Sequence, residues 1–336
     1  MNRFSIVRLP TLADASARVA EDPEHRRIRA GGIDLLDLMK EGLEAPEELV
    51  ELAAIGGEEG TKMRGVVATD DGWRVGALVT LGQLAEMDDL PGGYQALRQA
   101  AGIAATPGIR NAATVAGNLL QRPRCWYYRH ADMVCLKKGG DMCYAQTGDH
   151  RYHAILGGGP SYIVHPSSIA SPLLALDAKI EIWDGKSTTR TIGIAELFTL
   201  PTKNPTREHT LAPGEIVLAI HVPAAGEQDK SVYATAKEKQ SQDWPLAEAT
   251  VRATMSGGKM TKVAVALGHV APIPWNATEA AAVLEGQAPT PALFESAAKA
   301  ALSKAKPLSG NAYKVPLTQG LVRQALHELT GTPLPA

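Results

Sequence analysis

Three cysteines, Cys125, Cys135 and Cys143, are the only ones in this chain of 336 residues, and they lie within one short segment. Two histidines, His150 and His153, follow closely behind them. An odd number of cysteines cannot form a closed set of disulfides, whereas thiolates and imidazoles are ligands of zinc and iron. The grouping therefore favours a metal or iron–sulfur site, with three ordinary reduced thiols as the alternative.

Two glycine-containing segments are the second chemical signal. Gly31 and Gly32 follow a short predicted strand and precede a predicted helix, and Gly117 lies in a predicted turn over 114–118. Glycine lets the backbone approach a ligand closely, and free N–H groups beside a helix N-terminus bind phosphate. Neither segment has the G-x-G-x-x-G spacing of a Rossmann fold. The pattern favours a phosphate-containing ligand held by loops, with tight turns that bind nothing as the alternative.

The elements that must position these residues can be predicted from periodicity and end signals. Residues 1–60 alternate between strand and helix, with an amphipathic helix over 12–19 and Asp34 as the N-cap of a helix over 35–40. Residues 121–152 show no regular pattern. Long antiparallel strands are predicted over 231–238, 249–255 and 262–270, followed by helices over 277–284, 291–305 and 318–329. A domain boundary is predicted near residues 223–227.

The charge balance excludes several classes of partner. Lys plus Arg is 34 and Asp plus Glu is 36, so the formal net charge is −2. A basic field for nucleic acid or anionic lipid is therefore missing. We therefore expect no nucleic-acid partner. We also expect no membrane span, because no stretch reaches about 18 apolar residues.

The first residues do not read as a secretory signal. We expect a cytoplasmic protein, with export alongside a signal-bearing partner as the open alternative.

Short motifs, in order along almost the whole chain, resemble the FAD-binding (medium) subunits of the molybdenum hydroxylases. This is the family of xanthine dehydrogenase, aldehyde oxidoreductase and carbon monoxide dehydrogenase. Residues 30–35 resemble its A-G-G-x-D-L loop, and 109–119 resemble its T-I-G-G-N loop, with Ala116 replacing the first glycine. Residues 211–215, 268–272 and 311–314 match further motifs.

The resemblance implies an α+β fold. A PCMH-type, two-lobed FAD-binding domain is expected over 1–225, with lobes of about 1–60 and 61–225. A small α+β domain of the CO dehydrogenase flavoprotein C-terminal type is expected over 228–334. FAD is the implied cofactor. The implied FAD-binding residues are Ala30, Gly31, Gly32, Ile33, Asp34, Leu35, Thr114, Ala116, Gly117, Asn118, Ser168 and Lys237.

The resemblance also implies a function in electron transfer. Electrons would pass from a large subunit with a molybdenum cofactor and a small [2Fe-2S] subunit, through FAD, to an external acceptor. The flavin's chemistry is its own, so no catalytic acid, base or nucleophile is expected in this chain. Two alternatives stay open: a stand-alone flavoprotein oxidoreductase and a zinc-stabilised, non-enzymatic binding module.

Two positions near the flavin differ from the family pattern. Ser168 stands where an acidic residue is usual, and Thr235 appears at a position often held by lysine. Contacts to the flavin ring from these two positions are therefore in question. Lys237, at the start of the segment 237–244, could replace the missing lysine, with a solvated strand lysine as the alternative.

An insert of about 121–153 separates this chain from most of the family. It is similar to inserts in the flavin subunit of hydroxybenzoyl-coenzyme A reductase and in a bacterial aldehyde oxidoreductase, which bind a [4Fe-4S] cluster through four cysteines. Here only three are present, spaced C-x9-C-x7-C. The predicted ligands are therefore Cys125, Cys135 and Cys143, with His150 or His153 as the fourth.

Other occupants of the insert stay open. They are a cluster with no protein ligand at one iron, a zinc ion with three cysteines and one histidine, and an insert that has lost its metal. Four basic residues are expected to offset the negative charge of a cluster: Arg122, Arg124, Lys137 and Lys138.

Overall fold

The structure is a computed structural model that describes residues 1–88, 90–239 and 243–333. Its first lobe is a parallel sheet with strand order β1-β3-β2. Helix α1 connects β1 to β2 and helix α2 connects β2 to β3, as the predicted alternation requires. The elements are β1 (Ser5–Val7), α1 (Leu12–Glu21), β2 (Arg26–Arg29), α2 (Ile33–Lys40) and β3 (Glu48–Glu51).

The second lobe is an antiparallel sheet with strand order β4-β5-β8-β6-β7. Its strands are β4 (Val66–Thr69), β5 (Gly72–Gly76), β6 (Lys179–Trp183), β7 (Thr189–Gly193) and β8 (Ile216–Pro223). Its helices, including one in the insert, are α3 (Gly57–Arg64), α4 (Leu81–Ala85), α5 (Gln95–Ile103), α6 (Pro107–Arg110), α7 (Val115–Leu119), α8 (Trp126–Arg129), α9 (Ala170–Ala175) and α10 (Ile194–Leu197).

The last part of the chain packs helices on a second antiparallel sheet, of order β12-β11-β10-β9. The predicted long strands and three helices are present there, with shifted ends. They are β9 (Asp229–Ala236), β10 (Ala247–Ser256), β11 (Lys259–Gly268), β12 (Trp275–Asn276), α11 (Thr278–Leu284), α12 (Pro291–Ala301) and α13 (Lys314–Thr330). Small strand residues such as Ala249 and Ala253 pack in one core with Phe294 and Leu326.

The α+β fold class is therefore confirmed. The buried apolar residues form two main cores, which show which elements pack together. One large apolar core runs through both lobes, and the C-terminal sheet and helices share another. The insert has only a small cluster around Leu38, Tyr128 and Cys135, so polar contacts must hold much of it in place. Among the described residues, no helix is both long and apolar enough to cross a membrane.

Three local predictions are wrong. Asp34 does not cap α2, because the cap is Gly32 in a left-handed conformation with no capping side chain. The predicted turn over 114–118 is mostly the short helix α7, for which the Thr114 side chain accepts from the Gly117 amide. The insert, expected to be irregular, contains α8 and two short 3-10 turns at Leu136–Lys138 and Tyr144–Gln146.

Candidate functional site

A cavity of about 1330 Å³ lies between the two lobes and extends to the end of β9. This volume exceeds the range of about 300–1,000 Å³ for ordinary small-molecule pockets, and therefore suits a dinucleotide. The structure brings every residue predicted to bind FAD to the walls of this one cavity. They are Ala30, Gly31, Gly32, Ile33, Asp34, Leu35, Thr114, Ala116, Gly117, Asn118, Ser168 and Lys237.

The first glycine loop presents open backbone amides to the cavity. In the part of the chain that the structure describes, none of the amides from Gly31 to Leu35 donates a hydrogen bond, whereas the Leu36 amide bonds the Gly32 carbonyl at 2.9 Å. Gly32 has φ of +75°, a conformation that side-chain-bearing residues rarely adopt. These amides at the N-terminus of α2 can therefore bind an anionic group such as a phosphate.

The second loop differs, since its amides are already used within the protein. The amides of Val115 and Ala116 donate to the carbonyls of Val79 and Ala77, and that of Gly117 donates to the Thr114 hydroxyl. The expectation of free amides therefore holds at the first loop only. What the second loop contributes is close packing and side chains. A Cβ on Gly31 would lie 1.9 Å from the Ala112 carbonyl oxygen, so the two loops touch there only because residue 31 is glycine.

Asp34 joins the first loop to the insert. Its Oδ2 accepts from the Arg122 amide at 2.8 Å, and its Oδ1 lies 2.8 Å from both Arg124 Nη1 and Arg129 Nη2. The Arg129 side chain is 9% exposed and also contacts Asp37 and Glu41. The carboxylate predicted to face the cofactor is therefore the main link between the cofactor loop and the insert.

The basic residues of the insert are also bound to protein partners. Glu208, itself buried, lies 3.1 Å from Arg122 Nε and 2.7 Å from Lys137 Nζ. Arg124 pairs with Asp34, and Lys138 Nζ donates to the His130 carbonyl at 2.5 Å. The expectation that these four cations serve a cluster needs correction. Arg122, Arg124 and Lys137 tie the insert to the first two lobes through carboxylates.

The structure distinguishes the two candidate histidines. His153 Nε2 lies 3.1 Å from Cys125 Sγ, and Cys125 packs against the same small cluster as Cys135. His150 faces elsewhere: its Nδ1 lies 2.9 Å from the Ala145 carbonyl, and its Nε2 accepts from the Gly310 amide at 2.8 Å. Because both of its ring nitrogens are engaged, His150 is not available as a ligand in this arrangement, and His153 is the histidine that faces the cysteines.

Burial controls protonation at this place. It raises the pKa of the Cys125 thiol to about 12 and lowers the pKa of His153 to about 4. Among the described residues, no group of three or more His, Cys, Asp or Glu side chains converges as a single metal ion requires. A zinc ion with three cysteines and one histidine is therefore not supported. A [4Fe-4S] cluster takes one protein ligand at each of several irons, so it remains a prediction.

The closing motif 311–314 holds the end of the insert. Asn311 Nδ2 donates to the carbonyls of His153 and Ala154 at 3.1 and 3.2 Å. Lys314 Nζ donates to the carbonyls of Tyr152 and His269 at 2.8 and 2.9 Å. Burial lowers the pKa of Lys314 to about 7. The motif therefore fixes the backbone on both sides of a second cavity.

This second cavity, of about 140 Å³, adjoins the first, and Arg124 and Trp244 line both. Cys125, His153 and His269 line only the second cavity. The Arg124 guanidinium lies 4.6 Å from the centre of the Trp244 ring, which is 48% exposed.

Lys237, the residue predicted to replace the lysine that is missing at position 235, borders the first cavity. Its Nζ donates to the Ile103 carbonyl at 3.0 Å, and burial lowers its pKa. The lysine is thus partly buried at the cavity, not a fully solvated strand residue. Of the segment 237–244, residues 240–242 lie outside the described residues. Sequence reasoning missed Arg207 and His209 on the cavity wall, and nothing in their neighbourhood signalled a site.

Comparison with known proteins agrees with this geometry. Residues 2–225 match the family described as "FAD binding domain in molybdopterin dehydrogenase". Residues 231–329 match the family described as "CO dehydrogenase flavoprotein C-terminal domain". The aldehyde oxidoreductase FAD-binding subunit PaoB of Escherichia coli K12 is 33% identical over 333 residues, which cover 98% of each chain. This chain belongs to the FAD-binding subunits of the molybdenum hydroxylase family.

Other relatives of this FAD-binding subunit have the same extent. The carbon monoxide dehydrogenase medium chain of Afipia carboxidovorans is 27% identical over 327 residues. The aligned region covers 96% of the present chain and 95% of that relative. The solved carbon monoxide dehydrogenase of Hydrogenophaga pseudoflava superposes with a TM-score of 0.76 at 24% identity, covering 98% of both chains. That structural likeness confirms the fold. As an oxidoreductase subunit, the protein is not a non-enzymatic binding module.

Proposed function

We propose that this subunit binds FAD in the cavity between its lobes and passes electrons from partner subunits to an external acceptor. The partners would be a large subunit with a molybdenum cofactor and a small [2Fe-2S] subunit. One observation carries the proposal: every predicted FAD-binding residue lines a single cavity of about 1330 Å³. FAD would supply the capacity to accept and release electrons reversibly.

The chain's own residues would bind and orient the cofactor. The open amides from Gly31 to Leu35 would bind phosphate, helped by the N-terminus of α2. Asn118, held by a 2.6 Å hydrogen bond from the Ser167 hydroxyl, would offer polar contacts from the second loop. The flavin ring would lie near Ser168 and Lys237, and the lining of the cavity by both residues supports this.

The FAD proposal can be tested with a matched pair of glycines. Gly32 and Gly42 both have φ of +75°, so alanine strains the backbone at either position by about 1–2 kcal/mol. Only Gly32 lies on the cavity, whereas Gly42 has open space around its Cβ position. Gly32→Ala should lose most bound FAD while Gly42→Ala keeps it, measured by absorbance of released FAD per chain. Equal FAD content in the two variants would show that the loop at Gly32 does not bind the phosphate of FAD.

The partner proposal concerns assembly. Relatives carry the names "FAD-binding subunit" and "medium chain", and they match this chain over nearly their full lengths. We expect the chain, purified by a tag from its native host, to co-elute with a large molybdenum-containing and a small iron–sulfur polypeptide. Elution of the active protein at 35.6 kDa, the mass of one chain, would instead support a stand-alone flavoprotein.

A further part of the proposed function is a [4Fe-4S] cluster in the insert. We infer that Cys125, Cys135, Cys143 and His153 hold it, and that His150 does not. Supporting observations are the contact of His153 with Cys125 and the packing of Cys125 against the small apolar cluster that contains Cys135. Because its apolar cluster is small, the insert would also gain stability from a bound metal group. Such a cluster would add a one-electron centre to FAD, which can take up two electrons.

Iron and acid-labile sulfide analysis tests the cluster independently of FAD. We expect about four irons and four sulfides per chain beyond the partners' share. Cys135→Ser should lose them, whereas His153→Cys should keep them and lower the reduction potential, because imidazole ligation raises it. His150→Asn is the control and should keep its iron. Absence of iron and sulfide from this chain, with FAD present, would reject the cluster and leave the FAD proposal intact.

A further inference from the structure

Helix α2, whose first amides would bind the phosphate of FAD, carries a row of acidic side chains. Asp34, Asp37 and Glu41 are spaced three and four residues apart along α2 and its C-cap, so they lie on one face. Arg124 and Arg129, two cations of the insert, pair with this face. The insert therefore covers the acidic face of α2, while the open amides at the start of the helix are left for the cofactor.

Arg129 is the more buried of these two cations, and its guanidinium uses every donor that it has. Its Nη2 donates to Asp34 Oδ1 at 2.8 Å and to the Arg122 carbonyl at 3.2 Å. Its Nη1 lies 3.3 Å from Asp37 Oδ2 and 3.0 Å from Glu41 Oε2. Its Nε donates to a backbone carbonyl of the insert at 2.8 Å. All five N–H groups thus have an acceptor, and the side chain is 9% exposed.

The position of Arg129 depends on the fold of the insert. Arg129 is the last residue of α8, and its amide donates to the Cys125 carbonyl at 2.9 Å. Leu38, on α2, packs in the small apolar cluster of the insert with Tyr128 and Cys135. The insert thus contacts α2 through apolar and charged groups together. The positive charge beside Asp34 is therefore in place only when the insert is folded.

A charge conflict at the start of α2 gives this arrangement a consequence for the cofactor. Asp34 lies in the first turn of α2, and its own amide is one of those that would bind the phosphate. A helix N-terminus attracts both anions, but a carboxylate and a phosphate brought to one place repel each other, more strongly as water is excluded. Arg129 offsets this repulsion, because its Nη2 lies 2.8 Å from Asp34 Oδ1.

We propose that Arg129 sets the affinity of the chain for FAD by neutralising the acidic face of α2. Within the described residues, Arg129 does not border the FAD cavity, so it acts through Asp34 and is a positioning residue. The proposal rests on the proposed function, because it describes how the FAD site is controlled. The folded insert strengthens FAD binding, and by linkage bound FAD stabilises the folded insert to the same extent.

The test compares two replacements of Arg129 that differ in charge. Arg129→Lys keeps the positive charge but cannot make all five donations, whereas Arg129→Gln loses the charge as well. Both should lower the thermal midpoint of the chain. We expect Arg129→Gln to weaken FAD binding on the order of 10-fold, and Arg129→Lys to weaken it by under about 3-fold. Titration of the FAD-free chain with FAD, followed by quenching of flavin fluorescence, measures both affinities.

Salt separates a charge effect from a loss of structure. Between about 0.02 M and about 0.5 M KCl, the Debye length falls from about 20 Å to about 4 Å. The loss of affinity in Arg129→Gln should therefore shrink to about 3-fold at the higher salt. Arg151→Gln is the matched control. Arg151 also lies in the insert, but it pairs with Asp149 at an exposed place, where its side chain is 58% exposed. This variant should bind FAD like the wild type at both salt concentrations.

An independent variant changes the charge in the opposite direction. Asp37→Asn removes one anion of the acidic face and leaves Arg129 its contacts with Asp34 and Glu41. We expect FAD binding to become about 2-fold tighter at low salt, because less negative charge then faces the phosphate. If only the packing of Arg129 mattered, loss of one of its acceptors would weaken FAD binding instead. Asp37→Asn also decides the question if Arg129→Gln does not fold.

Wild-type affinity in Arg129→Gln overturns the proposal. A loss that Arg129→Lys shares equally, or that salt leaves unchanged, overturns it too, since the arginine would then act as a structural support alone. Weaker FAD binding in Asp37→Asn has the same meaning. A wild-type chain that binds no FAD contradicts the proposed function instead, and that result is known before any variant is compared.

Discussion

Asp34 lies in the loop predicted to bind the cofactor, yet its carboxylate is occupied by three groups of the insert. It accepts from the Arg122 amide and pairs with Arg124 and Arg129, all at 2.8 Å. Its side chain is 15% exposed, so water does little to screen these contacts. Loss of one partner from a buried charged group costs far more than loss of an exposed one.

Asp34→Asn should therefore lower the free energy of unfolding by about 2 kcal/mol and weaken FAD binding, because the insert would no longer hold the cofactor loop. Asp37 is the matched control: it lies 3.4 and 3.3 Å from the same two arginines, but its side chain is 52% exposed. Asp37→Asn should cost under about 1 kcal/mol. Urea unfolding and FAD titration measure both effects, and equal losses for the two variants would contradict the assignment.

At the scale of the elements, a polar triad crosses the middle of the second lobe's sheet. Arg74 on β5 and His221 on β8 both contact Glu181 on β6, at 2.9 and 2.7 Å. Burial alone would raise the pKa of Glu181, but the hydrogen bonds from Arg74 and His221 outweigh it and hold that pKa below its ordinary value of 4.5. The triad therefore joins three adjacent strands while Glu181 stays ionised.

The pH dependence follows from the direction of this shift. The unfolded state binds the proton more readily than the folded state, so the stabilisation is complete above about pH 4.5 and is lost as pH falls through the folded pKa. At pH 7, Glu181→Gln should lower the free energy of unfolding by about 1 kcal/mol. The difference from wild type should shrink at pH 3 in urea unfolding. A difference that is the same at both pH values would show that packing, not charge, stabilises this place.

At the scale of the whole molecule, the C-terminal part and the insert depend on each other. Asn311, just before α13, is 0% exposed and bonds the carbonyls of His153 and Ala154, while its Oδ1 accepts from the Leu308 amide at 2.7 Å. No other side chain could satisfy these three backbone groups without the same shape and polarity. Asn311 therefore links the segment before α13 to the end of the insert through hydrogen bonds.

Asn311→Ala should lower the free energy of unfolding by about 3 kcal/mol, because it leaves buried backbone groups without partners. Amide hydrogen exchange should also rise over residues 150–156, far from the mutation in sequence. Asn204→Ala is the control: its Oδ1 bonds the Thr206 amide at 3.0 Å in an exposed turn, and the cost should stay under about 1 kcal/mol. Unchanged exchange over 150–156 would mean that the insert is held independently of α13.

The sequence alone determined the features that rest on local pattern. Apolar periodicity located the amphipathic α1, the long antiparallel strands and the C-terminal helices, since alternating burial leaves a direct trace in the residue order. Short motifs identified the family and the residues that line the cavity. Gly32 was recognisable as part of a glycine pair between a predicted strand and a predicted helix, where glycine lets the backbone approach a ligand closely.

The tertiary structure decided which partners each polar group meets. Asp34 had a sequence typical of an N-cap, but contacts with residues about 90 positions away determine its role. His150 and His153 are indistinguishable by spacing, and only folding turns one ring to Gly310 and the other to Cys125. Glu248 and His269 come together across a sheet. Hydrogen bonds and ion pairs depend on distance in space, and a distance between residues remote in sequence exists only once the chain has folded.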